Sequence, residues 1–522
     1  MRSFRLYIKF FSGALISLMA LLVSSCIFHE DSPVKIMPGT IPNNKYYITL
    51  SVCIPNSTRN SQNSNDGYDN ETLAGTDLES TLENADLYFC IDKKVILQLS
   101  ATNINRNSGL DGKGVEYVLT ALVPDISKLK ALVGQKVELF IVGNYDKYPF
   151  HPTFENVSEA TFNIKSLDEN PVGEFKDKGK LLPFVNADSF IIEDFEKINQ
   201  RNEKDILEAL QNLFSGNSPD KTYRIKSIDL ERAVARIDFA DKGRSQNNEA
   251  WLYKVGNSEL QLKLSELQIF NVNTESFLFR HTSSGDREKA SENLKMFGEE
   301  KDLGDSYIWV ASPPWINNKL NLLNTLEFSN KESKKVIKGI NDSKGKIKIE
   351  ELSKKLSYLD NNKKYYPWRY VSENTLKSVT TELETNATGL AFTFLILDSQ
   401  GKGLKYSDSQ IYYPAGINNK KHSDSQSTGI IKITDSDGSW IEVEPSEDNC
   451  YYLTYYAFIV HNDDKDPNNI GPMEYAVVRN NVYQLSVNSV QRLPDPNQPE
   501  SLYLNLDINI LSWKKHDINM SW

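Results

Sequence analysis

The stretch YYITLSVCIPNSTRNSQNSNDG, residues 46–67, begins as a strand and then dissolves into Asn, Ser and Asp. Over its first half Ile48, Leu50, Val52 and Ile54 alternate with Tyr47, Thr49, Ser51 and Cys53. A two-residue period puts the four aliphatics on one face, so the segment reads as a β-strand lying over a core. From 55 to 77 almost no apolar residue follows. A run of that composition has too little to bury and reads as an accessible loop, the preferred kind of site for a protease. Arg59 is the one basic residue between Pro55 and Asp92. An Arg-directed protease would therefore find a single bond there, Arg59–Asn60.

The same strand signal continues outward. ADLYFCID (85–92) and VILQL (95–99) flank the turn Asp92-Lys93-Lys94, and KVELFIVGN (136–144) is a further strand run. RIKSIDLERAVARIDFAD (224–241) mixes alternation with charge, as in a partly exposed sheet. LQLKLSELQIFNV, GLAFTFLIL, CYYLTYYAFIV and EYAVVRNNVYQLSVNSV carry the pattern through the second half, with Asn480-Asn481 as a hairpin signal in the last. Helical spacing is confined to EKDILEALQNLF (203–214) and KIEELSKKLSYL (348–359). Many short strands with turn-rich connections predict an all-β chain of two tandem, Ig-like β-sandwiches with a few inserted helices. The polar stretch before Tyr223 places the expected divide between residues 46–222 and 223–522.

The totals narrow the function. The chain has 522 residues, more than one core usually serves. A formal charge of -11 argues against a nucleic-acid partner. Six histidines lie in no ligand spacing, and no nucleophile elbow, phosphate loop or dinucleotide fingerprint is present. No enzyme, cofactor or metal is therefore expected. HNDDKDPNN (461–469) alternates Asn462, Asp464 and Asp466 like a calcium loop, but Pro467 stands where glycine is needed, so it reads as a polar turn. Tyr412-Tyr413 could stack on sugars, although such pairs are more often cross-strand partners. Of the four cysteines, Cys53 and Cys90 sit in strand runs and read as buried thiols, with one disulfide among Cys53, Cys90 and Cys450 left open.

The N-terminus reads as an address. MRSFRLYIKFFSGALISLMALLVSSC pairs a basic start with an apolar run and small residues, the pattern of a secretory signal peptide over 1–25. Cys26 after Ser24-Ser25 resembles the bacterial lipobox, in which that thiol takes a lipid. Residues 26–45 would then be a lipidated tether, rich in Pro, Asn and Gly.

The other end also carries strands. SLYLNLDINIL alternates Leu502, Leu504, Leu506, Ile508 and Ile510 against polar residues, and HDINMSW alternates Ile518, Met520 and Trp522. The block GPMEYAVVRNNVYQLSVNSV followed by LYLNLDINILSWKKHDINMSW resembles the C-terminal signature of Bacteroidales fimbrillins, nearest to the major subunit of short (Mfa1-like) fimbriae. LERAVARIDF with ELQIFNVNTESFLF is similar to the start of that family's second domain.

The resemblance implies a non-enzymatic fimbrial (type V pilus) subunit of two transthyretin-like β-sandwich domains, exported as an outer-membrane lipoprotein on Cys26. It implies an Arg-specific surface protease cutting at Arg59–Asn60 to release the strand bearing Ile48, Leu50, Val52 and Ile54. A C-terminal strand of the next subunit, from within 501–522, then fills the vacated slot, so the partners are other fimbrial subunits. The place implied is the outer membrane before the cut and the extracellular fimbria after it, in support of adhesion. The alternative is a surface lipoprotein that never polymerises, either a fimbrial anchor or an adhesin for glycan or host protein.

Overall fold

The computed structural model of the chain describes residues 45–55, 72–75, 78–107, 114–144, 155–163, 182–187, 190–199, 202–215, 221–240, 251–284, 295–296, 308–311, 322–331, 334–355, 357–360, 363–376, 379–406, 429–434, 440–461, 473–494 and 504–515. It is mostly strands, arranged as two β-sandwiches. The first is built from β1 (Tyr46–Pro55), β3 (Ala85–Ile91), β4 (Lys94–Asn107), β5 (Gly114–Val123), β6 (Val137–Gly143), β8 (Phe184–Asn186), β9 (Phe190–Ile192) and β10 (Thr222–Arg232). Strands β2 (Thr72–Gly75) and β7 (Thr161–Asn163) lie outside this sheet.

The order β3-β4-β5-β1-β10-β8-β6 closes on itself, because β6 also pairs with β3. Two strands turn the corners. Residues 94–100 of β4 pair with β3, whereas 101–107 pair with β5, with a register shift between Ala101 and Asn103. β10 pairs with β1 up to Asp229 and with β8 from Leu230. A bulge or bend where a strand changes sheets lets a twisted sheet fold over without losing backbone hydrogen bonds. The β3–β4 hairpin turns on Asp92 and Lys93, both with positive φ (49° and 67°), the backbone that matches the twist of the flanking strands.

The core of this sandwich is filled by Ile48, Leu50, Val52, Leu87, Phe89, Leu119, Leu139 and Ile141. Its end away from the second sandwich is closed by helix α1 (Glu203–Ser215), through Leu210 and Phe214, and by a 3-10 helix, Ile126–Leu132, through Leu129 and Leu132.

The second sandwich faces one sheet against another. The first has the order β2-β20-β19-β11-β16-β15, with β11 at Ala235–Ala240, β15 at Tyr358–Asp360, β16 at Lys363–Val371, β19 at Asn481–Val490 and β20 at Leu504–Lys515. The second has the order β12-β13-β17-β18, with β14 attached to β13. These are β12 (Leu252–Lys254), β13 (Gln261–Phe270), β14 (Lys346–Lys348), β17 (Gly389–Ile396) and β18 (Tyr452–Phe458). Ile237, Phe239, Trp251, Leu264, Trp368, Phe392, Leu453 and Leu485 pack between them.

A third apolar layer joins the sandwiches: Tyr88, Cys90, Phe140 and Val142 on the outer face of β3 and β6 meet Phe279, Tyr365, Tyr370 and Val482. Strand β6 is thus buried on both faces, which is why its sequence, Glu138 apart, reads as an apolar run and that of β1 alternates.

Strand β10 is hydrogen-bonded to β1 in the first sheet, and β11 pairs in the second sandwich. Three sequence expectations are revised, in whole or in part. The helical spacing at 348–359 gives only α2 (Ile349–Leu352), because Tyr358 pairs with Tyr365 in a sheet edge. The expected hairpin before Asn481 has no first strand: Val477 makes an isolated bridge to Asn374, and Asn480 adopts a left-handed turn at φ 58°. Of the charges in 224–241, Arg224, Lys226 and Asp229 are exposed as the alternation predicts, whereas Glu231, Arg232, Arg236 and Asp238 are buried, as described below. Cys53, Cys90 and Cys450 are buried, and no disulfide joins them.

Candidate functional site

The four alternating aliphatics of β1 all point into the first core: Ile48 is 0%, Leu50 1%, Val52 0% and Ile54 1% exposed. Both edges of the strand are paired. β5 runs antiparallel to it from Tyr46↔Val123 to Pro55↔Gly114, and β10 runs parallel from Tyr47↔Thr222 to Cys53↔Asp229. At its first residue the Tyr46 ring stands edge-on to Phe214 of α1 at 5.6 Å, with the Lys221 ammonium 5.5 Å above its face. On the outer face the Ser51 hydroxyl donates to Glu116.

β1 is therefore a central strand of a closed sheet, lying in a slot walled by β5 and β10. Burying four aliphatics at roughly 1.5–3 kcal/mol each gives about 6–12 kcal/mol gross. Leu50→Ala is expected to destabilise the uncut chain by about 2–5 kcal/mol in urea unfolding, the range for a cavity that cannot collapse. A loss below about 1 kcal/mol would show that the trough is not tightly filled.

Strand β20 lies one strand in from the edge of its sheet, between β19 and the short β2. It runs antiparallel to β19 from Leu504↔Val490 to Ser512↔Asn481. Leu506 and Ile508 are half-buried against the second core. Its other edge meets β2, which pairs parallel over Thr72↔Ser512 to Gly75↔Lys515. Cys26, Arg59, Asn60, Leu502, Ile518, Met520 and Trp522 lie outside the described residues.

Between slot and edge sits a group of buried charges for which local pattern gave no role. Glu79, Arg232 and Arg236 are each 1% exposed and Asp238 0%. Glu79 belongs to a short 3-10 turn, Leu78–Ser80, that follows β2. Its carboxylate accepts from Arg236 Nη1 at 2.9 and 3.1 Å and from the Tyr370 hydroxyl at 2.5 Å. Arg236 also donates to both Asp238 oxygens, at 2.8 and 2.7 Å, and Tyr358 donates to Asp238 at 2.5 Å. Arg232 donates from Nε to the Glu79 carbonyl at 2.8 Å and from Nη2 to Ser80 Oγ at 3.4 Å.

Burial pushes Arg232 down to about 10, against the pull of Glu79. Burial also opposes the charge on Arg236, but Asp238 and Glu79 outweigh it and hold that guanidinium well above its ordinary range. A second buried pair, Arg479 with Glu373 at 2.5 Å, fixes the turn before β19. Every carboxylate named is engaged by a donor. Among the described residues no set of three or more His, Cys, Asp or Glu could hold a metal, and no helix is long and apolar enough to cross a membrane.

Residues 448–519 match the family described as major fimbrial subunit protein type IV, Fimbrillin, C-terminal. The matched segment contains β18, β19 and β20, so that part of the chain carries the fimbrillin signature. Among solved structures, a fimbrilin (FimA) from Porphyromonas gingivalis W83 is similar at 12% identity and TM-score 0.39, over 90% of this chain and 98% of that one. The C-terminally truncated tip fimbrial protein Mfa3 from Porphyromonas gingivalis is similar at 10% identity and TM-score 0.30, over 90% and 100%. A fimbrial assembly protein from Parabacteroides distasonis ATCC 8503 is similar at 11% identity and TM-score 0.23, over 69% and 97%. No curated protein matches the chain.

Proposed function

We propose that the chain is a structural subunit of a cell-surface fimbria, of the Mfa1-like major type, and that it polymerises by exchange of strands. It is exported as a lipoprotein on Cys26 and held at the outer membrane. An Arg-specific protease cuts Arg59–Asn60, β1 leaves with the lipid, and a C-terminal strand of another copy enters between β5 and β10. The observation that carries this reading is the fimbrillin C-terminal match over 448–519. The burial of β1 supports it: a strand paired on both edges, once removed, leaves two rows of unpaired backbone groups and an apolar trough. An extended segment restores both. Because the surface given and the surface received differ, the contact is head-to-tail and propagates as a filament.

The test is to treat the mature chain with an Arg-specific protease and follow it on SDS gels. Ladders of SDS-resistant oligomers appear only after the cut, and Arg59→Ala, cut nowhere between β1 and β2, stays monomeric. A wild-type chain that is cut there and remains monomeric at high concentration would remove the polymerising role and favour an anchor or adhesin. Ladders from uncut Arg59→Ala would remove the assigned bond.

A further inference from the structure

Strands β5 and β10 are joined in the sheet through β1, and among the described residues no ladder pairs them directly. With one strand between them they stand about two strand spacings apart, roughly 9–10 Å. They also run antiparallel to one another, since β1 is antiparallel to the first and parallel to the second. Once β1 is gone, nothing in backbone geometry stops β5 from pairing with β10. The exposed trough would drive that collapse. The result would be a smaller closed sheet with no slot.

Two features outside β1 oppose this. At the end nearest the second sandwich, the Leu78–Ser80 turn touches both walls. The Tyr117 hydroxyl, on β5 opposite Val52, donates to the Ser80 carbonyl at 2.7 Å and accepts from the Leu82 amide at 3.2 Å. Arg232, the last residue of β10, donates to the Glu79 carbonyl and to Ser80 Oγ. The turn is itself fixed from the second sandwich by Arg236 and Tyr370 on Glu79. Tyr117, Ser80, Glu79 and Arg232 are all buried, and none of these bonds involves β1.

At the far end β5 leads into the Ile126–Leu132 helix, and α1 leads into β10. These two pack through Leu129, Leu132, Leu210 and Phe214, and Lys130 pairs with Glu203. Each wall is thereby tied to the other at both ends.

Resting on the strand-exchange reading, we propose that these two ties are braces that hold the slot at strand width while it is empty, with Tyr117 and Arg232 as its positioning residues. A slot kept open binds its next strand without first being pried apart, and preorganisation of that kind lowers the cost of association. The turn suits the task because it stays with the body of the chain after a cut at Arg59–Asn60.

The experiment measures the width directly. Spin labels on cysteines replacing Thr120 and Arg224, which flank Thr49 on the two walls, report their separation in the full chain. The chain is then cut with the Arg-specific protease and the β1 fragment dialysed away in mild urea, its loss followed by mass. The expected result is an unchanged distance in the wild-type background. Tyr117→Phe, which loses only the hydroxyl, and Ser80→Ala, which loses only the Oγ that Arg232 holds, are expected to shorten it by about one strand spacing, roughly 4.8 Å.

The proposal is overturned if the wild-type distance shortens or broadens when β1 leaves, or if both variants keep the full width. A purely structural role for Tyr117 would lower the melting temperature of the uncut chain and leave the emptied width unchanged. Ladder formation is scored in parallel on unlabelled chain. Its absence alongside a held width would end the polymerisation reading and leave the brace standing.

Discussion

Glu79→Ala lowers the stability of the uncut chain by about 3–5 kcal/mol, read as a shift of the urea midpoint at constant slope. The reason is what remains. Arg236 keeps Asp238 but loses the carboxylate that shared its charge, and the Tyr370 hydroxyl loses its acceptor, both inside the junction of the two sandwiches. A buried group left without its partner costs far more than the partnership contributed. Glu79→Gln, which keeps shape and an acceptor oxygen, is expected to lose less. If Glu79→Ala shifts the midpoint no more than a typical surface change, roughly 0.5 kcal/mol, the turn is not held by its charges and the brace at this end fails with it.

Ile508→Asp separates the two lives of the C-terminal strand. On β20 that side chain is half-buried at the second core, beside the sheet's edge, where a carboxylate can turn toward water. The uncut chain is expected to fold and to melt within several degrees of wild type. In a neighbour's slot the same position would face the first core, as Ile48, Leu50, Val52 and Ile54 do, and a carboxylate there meets the full cost of desolvation. Ladders after protease treatment should therefore disappear. Undiminished ladders from Ile508→Asp would mean that another segment, such as the one bearing Ile518, Met520 and Trp522, is the one donated.

Much of this architecture can be read from the chain because sandwich strands expose one face and bury the other. β1 shows the alternation in full, and β4 and β19 show it well enough to be placed. β3 and β6 read as nearly continuous apolar runs, interrupted only by Asp86 and Glu138, and only the structure explains why: their outer faces are covered by the second sandwich. What local pattern misses are partnerships made across the chain. Arg232, Arg236 and Asp238 look like ordinary charges on a half-wet strand, and the carboxylate that makes Arg236 burial tolerable is Glu79, 157 residues earlier in sequence. No periodicity links residues at that separation. The helical spacing at 348–359 misleads for the opposite reason. Apolar residues three and four apart also suit a single helical turn followed by a strand, and the hydroxyl of Tyr358 is needed by Asp238.

The pairing of β1 on both edges, over all ten residues with β5 and from Tyr47 to Cys53 with β10, has a mechanical consequence. Tension applied along such a segment loads its two ladders in shear, so every rung resists together and none can be unzipped ahead of the rest. A substitute strand seated in the same way would inherit that resistance, and a string of such joints would yield to sideways peeling far sooner than to a straight pull.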